Sequence, residues 1–385
     1  MQDAAVKNAL RIARDSEPRT IQQQIQVCEI PAPPFNESVR GRDIERRFKE
    51  LRLANVRTDA VGNVIGVRPG AAARPNIVMS AHLDTVFPEG TSVKVTREGN
   101  RLKGPGIGDD CRGLAVLLAV IESLNAAHVV TPGTITFVAT VGEEGLGDLR
   151  GAKALFEEMA GQIDKFVSID GNGLDIVNVG VGSMRYKVIY QGPGGHSYGN
   201  FGIANPIHAL GRAIAKISDF EVPASPKTTF NVGRIGGGTS VNSIASEAWM
   251  EVDLRSADVG SLKTLDEKLH AAVRSALEEE NRRWNYRGRI HVAIETIGNR
   301  PGGQTPAQSS IAQTALAVSR SFGFEESLRE GSTDANVPMR LNIPAITIGG
   351  GGSGSGVHTI NEVFDTTDSS QGTERAVLLA IALAR

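Results

Sequence analysis

Short apolar runs rich in β-branched residues alternate with helical patterns along the first third of the chain. Such runs predict buried strands, and an apolar segment that opens on two aspartates predicts a buried helix, because the helix dipole favours carboxylates at its N-terminus. The strand runs are NIVMSAHLDTV (76–86), TITFVATV (134–141) and KFVSID (165–170), and the helix is DDCRGLAVLLAVIESLNAA (109–127). Strands that alternate with helices are typical of an α/β layer structure.

The pattern changes after about residue 182. The next segments predict the order strand, helix, two strands, helix, strand, which is that of a ferredoxin-like α+β sandwich. They are MRYKVIYQG (184–192), ANPIHALGRAIAKISDF (204–220), TTFNVGRIGGG (228–238), SEAWMEVDLRS (246–256), ADVGSLKTLDEKLHAAVRSALEEE (257–280) and RIHVAIETI (289–297). We therefore expect an α/β domain with a mixed sheet flanked by helices, built from residues 1–181 and 298–385 and interrupted by an inserted α+β domain at 182–297.

The composition argues against several classes of protein. The net charge is −2 with basic and acidic residues well mixed, so the chain lacks the basic excess of a nucleic-acid binder. No apolar run approaches the roughly 18 residues that a membrane span needs. We expect no nucleic-acid or membrane partner and a cytoplasmic location, unless an export signal once preceded residue 1. Cys28 and Cys111 are too few to predict a disulfide scaffold.

Polar side chains follow the apolar segments, at the points where strands are expected to end. They are His82 with Asp84, Asp109 with Asp110, Glu143 with Glu144, Asp170, and His358 after a glycine-rich run. Ligands of open α/β sheets bind outside the carboxyl ends of the strands, so these clusters are expected to converge on one cleft. Imidazole and carboxylate groups suit zinc, and also cobalt or manganese. The sequence therefore predicts a metal site.

Six short motifs follow one another along nearly the whole chain. They are SAHLDTV (80–86), GPGIGDD (104–110), GEEGLG (142–147), SIDGNG (168–173), GPGGHS (192–197) and GVHTINE (356–362). In this order they resemble the M20 family of dinuclear metallopeptidases, which includes peptidase T, carboxypeptidase G2, dipeptidase, aminoacylase and succinyl-diaminopimelate desuccinylase types. The family also has an inserted lid domain in the position where the pattern changes.

The resemblance implies that the cofactors are two divalent metal ions, most simply zinc. It places His82 and Asp170 on one ion and Glu144 and His358 on the other, with Asp109 bridging both.

The resemblance also assigns roles to residues beside the metal ligands. Asp84 would hold the imidazole of His82 in the ligating tautomer. The peptide bond between Asp109 and Asp110 would be cis. Glu143 would be the general base. Neighbouring glutamates at a strand end point in different directions, so one can face the attacking water molecule while the other binds metal.

The inserted domain carries a second set of residues that match the family. His196 would stabilise the oxyanion, often in the active site of a partner subunit, which implies a homodimer through this lid domain. Asn242 and Arg255 would contact the substrate, the arginine by gripping a carboxylate. An equally weighted interpretation of Arg255 is a strand-face arginine that pairs with Glu251 or Asp253.

These assignments predict an enzyme that cleaves a peptide or amide bond of a small substrate, either a short peptide or an N-acyl amino acid. An aminopeptidase of the peptidase T kind competes with carboxypeptidase and aminoacylase activities, and the sequence slightly favours the peptidases. A hydrolase of other C–N bonds is a second possibility. An inactive scaffold is disfavoured because every implied metal ligand and the base are present. Asp334 is left open between an acid near the site and a helix N-cap.

Overall fold

The computed structural model describes residues 3–325 and 327–385, which form two compact units. The first unit contains the chain up to Gly180 and again Gln304–Arg385, and the second unit is Val181–Gly303. The second unit extends beyond residue 297, where the sequence pattern suggested its end, because its last strand continues to Arg300.

The first unit contains both helices and strands. Before the second unit they are α1 (Ala4–Asp15), α2 (Glu17–Cys28), α3 (Ser38–Glu50), β1 (Ala54–Thr58), β2 (Val64–Arg68), β3 (Asn76–His82), β4 (Thr96–Glu98), β5 (Arg101–Lys103), α4 (Cys111–Ala126), β6 (Thr134–Thr140), α5 (Arg150–Met159), β7 (Lys165–Ile169) and β8 (Ile176–Gly180). They alternate from β5 through α4, β6 and α5 to β7. In the part of the chain that the structure describes, no helix combines the length and the apolar character needed to cross a membrane.

The second unit contains β9 (Gly182–Gln191), β10 (Gly195–His196), α6 (Pro206–Ser218), β11 (Thr228–Gly237), β12 (Ser243–Ile244), β13 (Glu247–Ser256), α7 (Val259–Arg283) and β14 (His291–Arg300). After it come β15 (Gly303–Gln304), α8 (Ser310–Ser321), β16 (Leu328–Gly331), α9 (Asn336–Arg340), β17 (Ala345–Ile348), β18 (Ser353–Ser355), β19 (Val363–Asp365) and α10 (Ser370–Leu383).

The core of the first unit is a mixed sheet with the strand order β1-β2-β6-β3-β7-β17-β8-β15, and β16 pairs with β8. Strand β3 is central and runs parallel to both β6 and β7. Its alternate residues enter different cores: Met79 packs into the cluster that contains α4 and α10, and Val78 into the cluster that contains α5. Helices thus cover both faces of the sheet. The predicted α/β fold with a mixed, helix-flanked sheet is confirmed.

Helix α4 is buried on nearly all sides and lies next to the central strands. It begins at Cys111 because the side chain of Asp110 accepts a hydrogen bond from the backbone N–H of Gly113, which caps the first turn. Cys111 is buried in an apolar cluster with Cys28 and Phe364.

The second unit is a four-stranded antiparallel sheet with the order β11-β13-β9-β14. Helices α6 and α7 pack against it around a core that includes Val188, Met250 and Leu269. Its elements follow the chain in the order strand, helix, two strands, helix, strand, apart from the short strands β10 and β12.

A buried ion pair joins the N-terminal helices to the segments that surround α4. Arg112 is fully buried, and its Nη1 lies 2.8 Å from Oε1 of Glu17. Its other nitrogens donate to the carbonyl oxygens of Gly350 at 2.8 Å and Ser369 at 2.6 Å. Glu17 also accepts from the hydroxyls of Ser369 at 2.6 Å and Thr373 at 3.1 Å. This network connects α2, α4, α10 and the glycine-rich segment that leads to β18.

We predict that Arg112→Met lowers the free energy of unfolding by about 3–5 kcal/mol, because it leaves the buried carboxylate of Glu17 without its cation. Denaturant unfolding followed by circular dichroism measures the change. The control is Arg11→Met, which breaks the exposed pair of Arg11 and Asp15 and is expected to change stability little. The prediction is wrong if both variants are equally stable.

Candidate metal centre

Three adjacent parallel strands deliver acidic and imidazole side chains to one edge of the sheet. His82 is the last residue of β3, Asp170 directly follows β7, and Glu143 and Glu144 follow β6. Because β6, β3 and β7 are neighbours and run parallel, their carboxyl ends meet at the same edge.

His82 is the buried centre of this group, with 2% of its surface exposed. Its Nε2 lies 2.9 Å from Oδ1 of Asp109 and 4.0 Å from Oδ1 of Asp170. Its Nδ1 lies 3.0 Å from the backbone oxygen of Asp84. A neutral imidazole that donates from Nδ1 to this carbonyl presents the lone pair of Nε2 to the two carboxylates.

Asp109 joins His82 to a second cluster on the other side of its carboxylate. Its Oδ2 lies 3.1 Å from Nε2 of His358, and that nitrogen lies 2.9 Å from Oε1 of Glu144. The peptide bond between Asp109 and Asp110 is cis. One carboxylate therefore contacts two histidines that are 276 residues apart in the sequence.

The donor atoms fit divalent metal ions. They form three overlapping groups, in each of which one ligand atom per residue lies within 4.8 Å of the others: His82 with Asp109 and Asp170, Asp109 with Glu144 and His358, and His82 with Glu143 and Glu144. Nitrogen and carboxylate donors of this kind are those that zinc and related cations take.

The electrostatics of the cluster also favour bound cations. Burial, together with the negative charge of Asp109, raises the pKa of Asp170 to about 7. Hydrogen bonds to Asp109 and Glu144 raise the pKa of His358 to about 10. Crowded carboxylates thus draw positive charge to this site, and divalent ions would supply it.

Asp84 connects the ends of two strands through backbone hydrogen bonds. Its carboxylate accepts the N–H of Glu143 at 3.0 Å and the N–H of Glu144 at 2.8 Å. Its Oδ1 lies 3.6 Å from Nδ1 of His82, farther than its own backbone oxygen. The resemblance implies that the carboxylate of Asp84 holds the imidazole of His82. In the structure the backbone oxygen of Asp84 makes the closer contact to His82, and the carboxylate of Asp84 accepts the backbone N–H groups of Glu143 and Glu144.

Sequence reasoning assigned no role to the side chains of two acids that organise the site. The carboxylate of Asp110 accepts the backbone N–H groups of His82 at 3.0 Å, Gly113 at 3.0 Å and Gly171 at 3.3 Å, which connects β3, α4 and the end of β7. The preference for aspartate at a helix N-cap was the available signal. Glu362 makes a comparable set of backbone contacts and ends the motif from which only His358 had been selected.

Asp334 is buried and accepts a hydrogen bond from the hydroxyl of Thr140 at 2.5 Å. Thr140 is the last residue of β6, three positions before Glu143. Helix α9 has Ala335 rather than Asp334 at its N-cap position. The interpretation of Asp334 as an acid near the end of β6 therefore replaces that of a helix cap.

The second unit brings His196 and Asn242 together. His196 pairs with Ser243 across β10 and β12, and the carbonyl of Asn242 accepts the N–H of Ser197 at 2.9 Å. Nδ1 of His196 accepts the backbone N–H groups of the two residues at 198 and 199, both at 3.2 Å. A neutral imidazole that accepts at Nδ1 carries its proton on Nε2, so this exposed side chain presents Nε2–H as a donor.

Arg255 lies toward the end of β13 that is far from the small sheet of β10 and β12. It is eight positions along β13 from Glu247, roughly 26 Å at the rise of a strand, and β12 precedes the Glu247 end. Its Nε donates to Oδ2 of Asp253 at 2.7 Å. This contact is the strand-face pairing that was one of the two interpretations of Arg255.

Comparison with known proteins identifies the family of the chain. A model of peptidase family M20/M25/M40 matches residues 78–382. The uncharacterised protein YqjE of Bacillus subtilis is 26% identical over 380 residues, which cover 94% of this chain and 98% of the relative. A succinyl-diaminopimelate desuccinylase of Nitrosospira multiformis is 25% identical over 370 residues, which cover 90% of this chain and 93% of the relative.

A solved structure shares the fold. A tripeptidase of Staphylococcus aureus superposes with a TM-score of 0.80 at 23% sequence identity, covering 96% of this chain and 99% of that one. The family match extends over most of the chain and includes every residue of the cluster. The resemblance inferred from the motifs is confirmed: the chain belongs to peptidase family M20/M25/M40 and is a hydrolase.

Proposed function

We propose that this protein is a two-metal hydrolase that cleaves a peptide or amide bond of a small peptide-like substrate. The observation that carries the proposal is the position of Asp109, whose two carboxylate oxygens contact His82 and His358 in two overlapping donor groups. A single carboxylate shared in this way is suited to bridging two cations.

In this proposal His82 and Asp170 would hold one divalent ion and Glu144 and His358 would hold the other, with the carboxylate of Asp109 shared by the two sets of residues. The imidazole and carboxylate donors suit zinc, with cobalt or manganese as alternatives. Divalent ions held there would lower the pKa of a water molecule and would polarise the carbonyl group of the scissile bond.

Glu143 is the general base of the proposed reaction. It takes a proton from the attacking water and delivers it to the leaving amine. Its side chain is 5% exposed, and its backbone N–H is fixed by Asp84. One carboxylate oxygen of Glu143 lies within 4.8 Å of a metal-ligating atom of His82 and of one of Glu144.

His196 is the proposed oxyanion donor and Asn242 a proposed substrate contact. The Nε2–H that the tautomer of His196 presents is the kind of donor that stabilises a developing negative charge. Arg255 is proposed to grip a substrate carboxylate. An active site that uses both His196 and Arg255 would take them from two subunits, since His196 lies in the small sheet that precedes the Glu247 end of β13 and Arg255 lies toward the other end of that strand, and this supports a homodimer.

Two substrate classes remain within this reaction. The structural likeness to a tripeptidase favours a short peptide with a free end, and the desuccinylase among the relatives favours an N-acyl amino acid. Matched peptides blocked at one end distinguish them. Cleavage that needs a free amino end indicates an aminopeptidase, and cleavage that needs a free carboxylate indicates a carboxypeptidase or aminoacylase.

We predict that Glu143→Gln lowers kcat on unblocked tripeptides by about 10²–10⁴-fold, because the amide cannot accept the proton of water. Metal content and the circular dichroism spectrum should match those of the wild type. Glu122→Gln, which changes an acid that contacts Arg19 and Gln23, is the control and should keep full activity. Near-native turnover of Glu143→Gln would remove this residue as the base.

We predict that co-expressed Glu143→Gln and His196→Ala chains regain activity that neither variant has alone. If His196 serves the partner's site, each mixed dimer has one complete site out of two, so the isolated mixed dimers should have about half of the wild-type rate. Dimers isolated with two different affinity tags make the measurement. If the mixed dimers stay inactive, His196 acts within its own subunit or has no role in the reaction.

A further inference from the structure

Glu362 is a buried carboxylate that lies against the loop leading to Asp109. It directly precedes β19 and is 1% exposed. Its Oε2 accepts the backbone N–H of Gly106 at 3.0 Å. Its Oε1 accepts the N–H of Gly108 at 2.8 Å and that of Asp109 at 3.1 Å. One side chain therefore fixes three peptide groups within four consecutive residues.

The backbone of Glu362 is anchored to the strand that enters the same loop. Its carbonyl accepts the N–H of Gly104 at 3.1 Å, and the next residue, Val363, pairs with Lys103 of β5. On the other side, the N–H of Glu362 donates to the carbonyl of Thr359 at 3.1 Å. The carboxylate is thus held at a fixed distance from the loop by main-chain contacts.

The same short segment carries His358. That residue lies four positions before Glu362, and its Nε2 contacts the carboxylate of Asp109 at 3.1 Å. Glu362 therefore binds the backbone N–H of Asp109, while His358 contacts the side chain of Asp109. Two residues that the proposed function assigns to metal binding are located relative to each other by this one acid.

The glycines of the loop permit this close approach. A Cβ atom on Gly108 would lie 3.1 Å from Oε1 of Glu362. Gly106 has a φ of 73°, and a Cβ atom there would lie 2.7 Å from Cγ2 of Thr85. The absence of a side chain at Gly108 therefore leaves room for the carboxylate of Glu362 next to the loop.

The charge of Glu362 is expensive to bury. Its contacts within the described residues are peptide N–H groups, and none of the ion pairs found there includes it. An apolar side chain of similar size would leave these buried N–H groups without an acceptor, so the carboxylate is expected to keep the loop at Gly106, Gly108 and Asp109 in one conformation.

We propose that Glu362 is a positioning residue that holds Asp109 and His358 in the arrangement that binds metal. The inference rests on the proposed function, because it assigns both partners to the metal site. Residues that orient metal ligands through hydrogen bonds typically contribute a factor of about 10–100 in metal affinity.

The test is the affinity of the full-length protein for Zn²⁺, measured by competition with a chromophoric chelator, together with the visible spectrum of the Co²⁺-loaded protein. We expect Glu362→Ala to weaken binding by about 10–100-fold and to change the Co²⁺ spectrum. The Zn²⁺ affinity of Glu362→Gln should lie between those of Glu362→Ala and the wild type. Its amide oxygen can accept the N–H groups of Gly108 and Asp109, but its NH₂ group faces the N–H of Gly106 and cannot accept it.

Glu374→Gln is the matched control. Glu374 is a buried acid of the same unit whose carboxylate contacts Arg14 of α1, so this variant should bind Zn²⁺ as the wild type does. A residue that only stabilises the fold would lower the melting temperature and leave the metal affinity unchanged. The inference is overturned if folded Glu362→Gln and Glu362→Ala proteins bind Zn²⁺ as tightly as the wild type. If Glu362→Ala does not fold, Glu362→Gln decides alone. Failure of the wild type to bind Zn²⁺ would instead overturn the proposed function.

Discussion

The carboxylate of Asp109, held between His82 and His358, is the contact on which the rest of the site depends. It lies among Glu144 and Asp170, so several acids share a small volume where like charges repel. A crowded acidic site of this kind is stable only if its positions are set by the surrounding structure or if cations offset the charge. The fold provides the first condition, and the proposed metal ions would provide the second.

The structure sets these positions with a second layer of acids that bind peptide N–H groups. Asp84 holds the backbone after β6, Asp110 joins β3 to α4 and to the end of β7, and Glu362 holds the loop before α4. Each of these carboxylates spans segments that are distant in sequence. The strands bring the metal-ligating side chains close together. The three acids then fix the backbone next to those side chains, which sets the geometry of the ligands.

Much of this could be predicted from the sequence because the relevant signals are local. The strands β3, β6 and β7 are mostly apolar and almost entirely buried, and a histidine or acid at or after the end of each marks the same edge of the sheet. Glu362 could not be assigned in this way, since its partner Gly108 is 254 residues away. The small sheet of β4, β5, β18 and β19 was also missed, because its three-residue strands, exposed in β4 and β18, show no hydrophobic periodicity. The sequence could not decide whether Arg255 binds a substrate carboxylate or pairs with an acid of its own strand. Its contact with Asp253 is seen only when the side-chain positions are known.

The metal content of the purified protein tests the central claim most directly. After loading with Zn²⁺ and removal of free ions, elemental analysis by mass spectrometry counts the ions bound per chain. The account predicts two ions per chain in the wild type and fewer in Asp109→Asn, whose amide is a poor bridging ligand. Absence of bound metal in the folded wild type, or an unchanged count in Asp109→Asn, would contradict it.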